Sequence, residues 1–356
     1  MLALKIISRG HAAPQPVPLP TLRPSYILVK THAIALNPAD VGGIDMVAPV
    51  GATVGLDFAG VVVDIGSEVQ KSFKVGDRVF GAVHGCNESE PEDGAFGEYL
   101  IAKGDLTAVI PESLGFEAAS TMGAGIASVG QALGQNLGLP WPGKQSDAGE
   151  KVQVLVYGGS SATGALAIQF AKASGLEVIT TCSPHNNAYV KSLGASAVFD
   201  YHSPACAADI RAHTNDSLYY AFNCLPDDSA AKICTEALSS HPRPGGSKPA
   251  YTGVSPMGVD AAIMRDDVQY SSILGYTAKG EAFTFAGNPI PAMPDHFEFM
   301  KRWIEFGTSL VANGTVKPHT FEVRPGGLED IVKGLNELRE GKISAKKLVY
   351  RIGEEV

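Results

Sequence analysis

No apolar run in this chain approaches the roughly 18 residues that a membrane-spanning helix needs, so no span and no membrane partner are expected. The opening residues, MLALKIISRGHAAPQPVPLP, hold no long apolar core ahead of a cleavage site, and they do not read as a signal peptide. Cysteine is scarce. Cys86, Cys182, Cys206, Cys224 and Cys234 are odd in number and include no C-x-x-C pair, which points to reduced thiols in a cytoplasmic protein. Positive charge is the weaker sign: 28 Lys and Arg against 37 Asp and Glu leave a net charge of −9. That removes the electrostatic basis for a nucleic-acid partner. The nine histidines are scattered, none recurring as H-x-x-x-H, so no metal site is expected. Internal repeats and low-complexity segments are absent.

What the chain has in quantity is glycine and proline, 40 and 23 in 356 residues, a turn-rich composition long enough for two domains. Its organising stretch is Val152 to Ser183. Val152 to Tyr157 is a continuous apolar run, the pattern of a strand buried on both faces. Gly158 and Gly159 break it. Thr163 to Ala173 has apolar residues at helical spacing, Gly175 stands at the C-cap position, and Glu177 to Cys182 is a second apolar run. This is strand, glycine turn, helix, strand. Gly159, Ser161 and Gly164 fill the three positions of G-x-G-x-x-G with serine at the second. They allow a tight turn, close approach of backbone to a pyrophosphate, and close helix–strand packing. The helix N-terminus then faces the phosphates.

The end of the second strand selects the nucleotide. An NAD site usually carries an acid there for the ribose hydroxyls. Here Cys182 is followed by Ser183, Pro184, His185 and Asn186, with Lys191 about a turn later. No carboxylate is present to repel a 2′-phosphate, and NADPH is expected. Ser183-Pro184 also reads as a plain helix start, with serine as N-cap and proline at N1; the two readings are compatible.

Before this stretch the chain reads as all-β with frequent turns. The strand signals are Leu2–Ile7, Tyr26–Leu36, Val54–Ile65, Arg78–Val83, Gly94–Ala102 and Thr107–Ile110, with Pro14–Pro24 as an exposed connector. Phe116–Leu137 is helical in period, and residues 139–150 form a loop. After the stretch, strands and helices alternate to Tyr276, the signature of a parallel doubly wound sheet. Helices over 295–312 and 328–340 and a closing strand over 347–352 follow.

Gly55-x-Asp57-x-x-Gly60, Gly76-Asp77-Arg78-Val79, Gly94-Ala95-Phe96-Gly97-Glu98-Tyr99 and Gly341-Lys342-x-x-x-Lys346-Lys347-Leu348-Val349 resemble landmarks of the medium-chain dehydrogenase/reductase superfamily. The resemblance implies an α/β protein: a β-rich GroES-like barrel domain over 1–122 and 291–356, and a doubly wound Rossmann domain over 123–290 inserted before the C-terminal return. Zinc members of that superfamily carry cysteine, then His-Glu, where this chain has Asn37 and Leu56-Asp57, so metal catalysis is not expected. Leu36-Asn37-Pro38-Ala39-Asp40, Ser160-Ser161-Ala162-Thr163, Cys182-Ser183-Pro184-His185-Asn186 and Val198-Phe199-Asp200-Tyr201 are similar to a narrower group. That group is the trans-acting enoyl reductases that serve fungal highly reducing polyketide synthases. It implies reduction of an α,β-double bond on a carrier-bound chain, with the Ser160–Thr163 turn, the Ser183–Asn186 strand end and Tyr201 contacting NADPH. Ser344 and Ala345 are further expected NADPH contacts, and Gly125 and Ser128 are expected at the substrate. Tyr276 precedes a small polar loop, with Thr277 and Ala278, that lines an acyl pocket or else makes Tyr276 a core residue. A monomer is expected. The Trp-Lys that often follows Asn-Pro-x-Asp in the group is Val41-Gly42 here, and a common helix-start threonine is Ser128.

Conjugate reduction asks little of a protein beyond position and hydrogen-bond donors at the carbonyl oxygen. Asn37 and Ser128 are the catalytic candidates. Asn37 also reads as a turn residue before Pro38, and Ser128 as a helix hydroxyl bonded to its own backbone. Arg243, Lys248, Lys342, Lys346 and Lys347 are the cations available to meet an acidic carrier. The alternatives are a zinc-free quinone or enone oxidoreductase acting on free small molecules, and a non-catalytic cofactor-binding partner protein.

Overall fold

In chain order the strands are β1 (Leu2–Ser8), β2 (His11–Pro16), β3 (Tyr26–Ala35), β4 (Asp57–Ile65), β5 (Arg78–Ala82), β6 (Tyr99–Lys103), β7 (Ala108–Val109), β8 (Gln153–Tyr157), β9 (Glu177–Thr181), β10 (Ala197–Phe199), β11 (Tyr220–Asn223), β12 (Ala250–Gly253), β13 (Gln269–Ser272), β14 (Phe283–Phe285), β15 (Asn288–Ile290), β16 (Phe321–Arg324) and β17 (Lys347–Arg351). The α-helices are α1 (Pro38–Gly42), α2 (Phe116–Ala119), α3 (Gly123–Val129), α4 (Ala162–Ala173), α5 (Asn187–Leu193), α6 (Cys206–His213), α7 (Asp228–Ala237), α8 (Pro294–Ala312) and α9 (Gly327–Arg339). This computed structural model describes residues 1–142, 152–255 and 258–353. The loop expected over 139–150 lies outside the described residues beyond Pro142.

The chain divides into two units. One comprises Met1–Ala127, Tyr276–Gly314 and Pro318–Val356; the other comprises Ser128–Gly275 and Thr315–Lys317. The first is β-rich. Its seven-stranded sheet runs β16-β17-β3-β4-β5-β7, with β6 also on β3. Pairing is antiparallel except between β16 and β17. Register shifts between Leu28 and Val29 and between Thr31 and Ala33 interrupt the β3–β4 ladder, the local irregularity that increases twist and lets a sheet curl. Leu4, Ile27, Val29, Phe58, Val62 and Leu348 share one core. Leu328, Ile331 and Leu335 of α9 join it at helical spacing. Two strand expectations shift. The proline-rich connector begins as strand β2, antiparallel to β1 in a two-stranded sheet, where every strand is an edge and proline is tolerated. The strand expected over Gly94–Ala102 forms only from Tyr99.

The second unit has six strands in the order β10-β9-β8-β11-β12-β13, every pairing parallel. Strand order runs outward from β8 in one direction and then the other, the doubly wound arrangement. Where the sequence carries this unit on to residue 290, the structure returns to the first unit at Tyr276. There Tyr276 stacks on His84, and Phe283 of β14 meets the same imidazole edge-on. Among the described residues, no helix is long and apolar enough to cross a membrane.

Candidate functional site

The second unit supplies a nucleotide cradle. Buried β8 ends at Tyr157, Gly158 turns with φ +78°, and α4 starts at Ala162 with Ser161 as N-cap. The Ser161 Oγ accepts from the Gly164 N–H at 3.1 Å. Gly158 N–H donates to Thr181 Oγ1 at 3.0 Å and Gly159 N–H to Thr181 O at 2.9 Å, tying the turn to the end of β9. A Cβ on Gly164 would lie 2.2 Å from Gly158 O, so the helix sits directly on the turn. Ser160, Ser161, Ala162 and Thr163 stay half-exposed, and the first-turn N–H groups of α4 are those a helix leaves without internal partners.

At the end of β9, Ser183 begins a 3-10 turn over Pro184–Asn186, but its side chain makes no capping bond. Its hydroxyl lies 3.2 Å from the Tyr201 hydroxyl instead. The structure therefore brings together two of the expected nucleotide contacts from different strand ends. Pro184, His185 and Lys191 are exposed and Asn186 is buried. Lys191 bonds to neither Ser183 nor Tyr201. Beside Tyr201, Asp200 Oδ1 lies 2.8 Å from His202 Nδ1, a pair the sequence gave no reason to single out. Bonds from His202 hold the Asp200 carboxyl below its usual range. In the same unit the Ser128 hydroxyl does not bond back to its own helix, and the residue is half-buried.

The first unit holds a buried polar network around Asn37. The Asn37 Nδ2 donates to Asp57 Oδ2 at 2.9 Å and to Ala35 O at 3.3 Å, and its Oδ1 accepts from Lys347 Nζ at 2.9 Å. Lys347 also pairs directly with Asp57; the two side chains are 4% and 0% exposed. Asp57 Oδ1 takes the Ala124 N–H at 2.6 Å. Both hydrogens of the Asn37 amide are thus engaged. The free donor expected there is absent, and Asn37 instead ties β4, β17 and the start of α1 together. Asp40 Oδ2 accepts the Asn37 N–H at 2.7 Å, while its Oδ1 is buried without a partner. Burial pushes the Asp40 carboxyl up to about 8, with the Asp57 carboxylate adding to the rise and the Asn37 N–H opposing it. Burial, then the Lys347 charge, holds His319 down at about 4.

Past Asp40 the chain stays helical. A π-turn over Gly43–Val47 continues α1, and Ala48 ends it at φ +51°. Gly43 packs on Cys86 so closely that a Cβ would stand 2.5 Å from its Sγ. Nearby, the His84 and Tyr276 rings stack at 3.6 Å and 13°. Burial, then Lys279, keeps His84 neutral. Tyr276 is half-buried and its hydroxyl makes no hydrogen bond among the described residues. Thr277 and Ala278, expected beside it around the substrate, are each 5% exposed, and Thr277 Oγ1 is 2.9 Å from His296 Nδ1. They brace the loop from beneath and present almost no surface. Gly125 is buried in α3, Ser344 is exposed, and Ala345 takes φ +52°.

A family model described as the alcohol dehydrogenase GroES-like domain matches residues 23–112. One described as zinc-binding dehydrogenase matches residues 162–276. A trans-enoyl reductase of Alternaria alternata is 40% identical over 351 residues, covering 98% of both chains. One of Gibberella fujikuroi is 40% identical over 342 residues, 96% of each. The chain belongs to the trans-enoyl reductases. Among solved structures, the CurK enoyl reductase superposes with a TM-score of 0.77 at 17% identity, covering 99% of both chains. A quinone oxidoreductase of Coxiella burnetii gives 0.71 at 22%, again with 99% of each covered. At those identities the likeness is one of fold.

The second family description names zinc. Among the described residues of this trans-enoyl reductase, no group of three or more His, Cys, Asp or Glu is placed to hold a metal ion. Asn37 and Asp57 bind an ammonium group instead. The cations expected to meet an acidic carrier are each engaged already. Lys347 is buried, Lys346 pairs with Glu322, Lys342 pairs with Glu340, Lys248 donates to Asp266 O, and Arg243 donates to Tyr220. Sequence reasoning missed the burial of Lys347 and the stacking of His84. For Asp40 a signal was present: Asn37-x-x-Asp40 is capping-box spacing.

Proposed function

We propose that this trans-enoyl reductase uses NADPH to reduce the α,β-double bond of a thioester carried by a polyketide synthase. What carries the reading is the end of β9. The Ser183 and Tyr201 hydroxyls meet there, β9 itself ends without a carboxylate, and the Asp200 carboxyl beside Tyr201 is engaged by His202, in a chain about two-fifths identical to trans-enoyl reductases over nearly its full length. The fit of a nucleotide rests on the cradle at Gly164, where helix and turn touch with no room for a side chain.

Within the second unit, the backbone of Ser160–Thr163 and the N-terminus of α4 hold the diphosphate by oriented N–H groups. Ser183 and Tyr201 donate to the 2′-phosphate, with His185, Asn186 and Lys191 at the rim of the same strand end. When bound, NADPH supplies the hydride that goes to the β-carbon. The Ser128 hydroxyl, bonded to nothing in its own helix, is the donor offered to the thioester oxygen as negative charge develops there. Asn37 does not touch substrate; it keeps Asp57 and Lys347 in register beneath α1.

The test is turnover of NADPH with enoyl thioesters, enones and quinones side by side. Reduction of the thioesters supports the reading. Reduction of free enones or quinones alone moves the assignment to a small-molecule oxidoreductase. Nucleotide binding with no turnover on any of them identifies a partner protein.

A further inference from the structure

An acid stands at the end of β10. Asp200 follows Phe199 directly and precedes Tyr201, whose hydroxyl lies 3.2 Å from that of Ser183. β9 and β10 pair in parallel up to Thr181 and Phe199, so Asp200 leaves the sheet beside the end of β9. Its charge reaches that end: burial first, and then the Asp200 carboxylate, push the Cys182 thiol up to about 11. A carboxylate at such a strand end accepts from the ribose hydroxyls of NAD, and like charge there disfavours a 2′-phosphate. Yet this carboxylate is engaged. His202 donates its backbone N–H to Asp200 Oδ1 at 3.0 Å, and His202 Nδ1 lies 2.8 Å from the same oxygen. The backbone bond closes an Asx turn that ties the acid to its own loop. The His202 ring also lies against the Tyr201 ring, centroids 4.0 Å and planes 31° apart. Among the described residues, no lysine or arginine pairs with Asp200.

Resting on the NADPH reading above, we propose that His202 sets the nucleotide preference by masking Asp200. Ser183 and Tyr201 touch the 2′-phosphate; His202 is a positioning residue that acts through the acid. Its two bonds occupy an Asp200 oxygen that would otherwise accept from a ribose hydroxyl. Its imidazole, when protonated, cancels the charge that an arriving phosphate would meet. Salt screens an exposed interaction of this kind, so the mask matters most at low ionic strength.

The test is titration of NADPH and NADH into wild type, His202→Ala, Asp200→Asn and the double variant at low ionic strength. His202→Ala should lower the ratio of NADPH affinity to NADH affinity about three- to fivefold, the scale of an exposed charge interaction. Asp200→Asn should keep the ratio, and the double variant should restore it, because no acid is left to mask. In about 1 M salt, where charges are screened over about 3 Å, the loss in His202→Ala should shrink to within error. An unchanged ratio in His202→Ala, equal losses on both nucleotides, a lowered ratio in Asp200→Asn, or a double variant no better than His202→Ala overturns the proposal. So does a loss that persists in high salt. Wild type that binds the two nucleotides equally overturns the NADPH reading and the mask together. Wild type that prefers NADPH, with the same preference in His202→Ala, overturns the mask alone.

Discussion

Replacing Lys347 by methionine removes the ammonium from a place where its partner cannot reach water. Asp57 is 0% exposed. Without Lys347 it keeps two hydrogen bonds, from Asn37 Nδ2 and from the Ala124 N–H, but no compensating charge. Breaking a buried pair by removing one member costs about 3–5 kcal/mol. For a unit of this size each kcal/mol is worth about 2–4 °C in melting temperature, so Lys347→Met is expected to lower the melting transition of the first unit by about 6–20 °C. The second arm of the experiment removes the stranded charge as well. In Asp57→Asn with Lys347→Met, Asn37 can turn its amide over and accept from the new side chain, while Ala124 keeps its acceptor. The double variant should regain more than half of the lost stability, giving a coupling energy of about 1–3 kcal/mol in the cycle. Calorimetric melting of the four proteins is the assay. A single variant that melts within about 2 °C of wild type, or a double no better than the single, refutes the view of Lys347 as the counter-charge of Asp57.

Gly164→Val should abolish NADPH binding, since a Cβ already meets Gly158 O at 2.2 Å; a titration matching wild type rejects the cradle. NADPH should bind at least about tenfold more tightly than NADH, about 1.4 kcal/mol. Ser183→Asp should erase that gap by replacing the hydroxyl that meets Tyr201 with a carboxylate that no histidine engages, and an undiminished preference in the variant counts against the strand end as the selector. Asp40 should give the first unit a falling stability with pH. Its folded pKa of about 8 lies above the unfolded value of about 3.9. The folded state therefore holds the extra proton, and that stabilisation is complete at acid pH and lost as pH rises through about 8, at up to about 1.4 kcal/mol per unit. The stability difference between wild type and Asp40→Asn, measured by urea unfolding across that window, should shift toward the variant as pH rises; parallel profiles contradict the raised pKa.

The second unit was legible in the sequence because its signals are local. A buried apolar run, a glycine turn and an alanine-rich helix fall within one short stretch, and the structure places β8, the turn and α4 there. The pairing of Ser183 with Tyr201 was half legible. Each residue stood at a strand end, but only the β9–β10 pairing puts the strand ends side by side. The first unit was harder because its site is made by long-range contacts. Lys347 stands 290 positions from Asp57, and nothing in a lysine opening a strand says that it is buried. His84 and Tyr276 are remote in sequence too, and no local pattern announces that their rings stack. Asn37 was expected to donate to substrate because its sequence context shows a polar turn and hides its partners. Thr277 and Ala278 read as pocket residues because small polar loops usually face outward; the bond to His296 and the packing beneath Tyr276 turn them inward.

The most direct test is to incubate the purified protein with NADPH and a short-chain α,β-unsaturated pantetheine thioester, following nucleotide oxidation and identifying the product by mass. The account predicts stoichiometric conversion to the saturated thioester, with no comparable consumption of NADPH by quinones or free enones. Intact unsaturated thioester, recovered while quinones or enones are reduced, would contradict it.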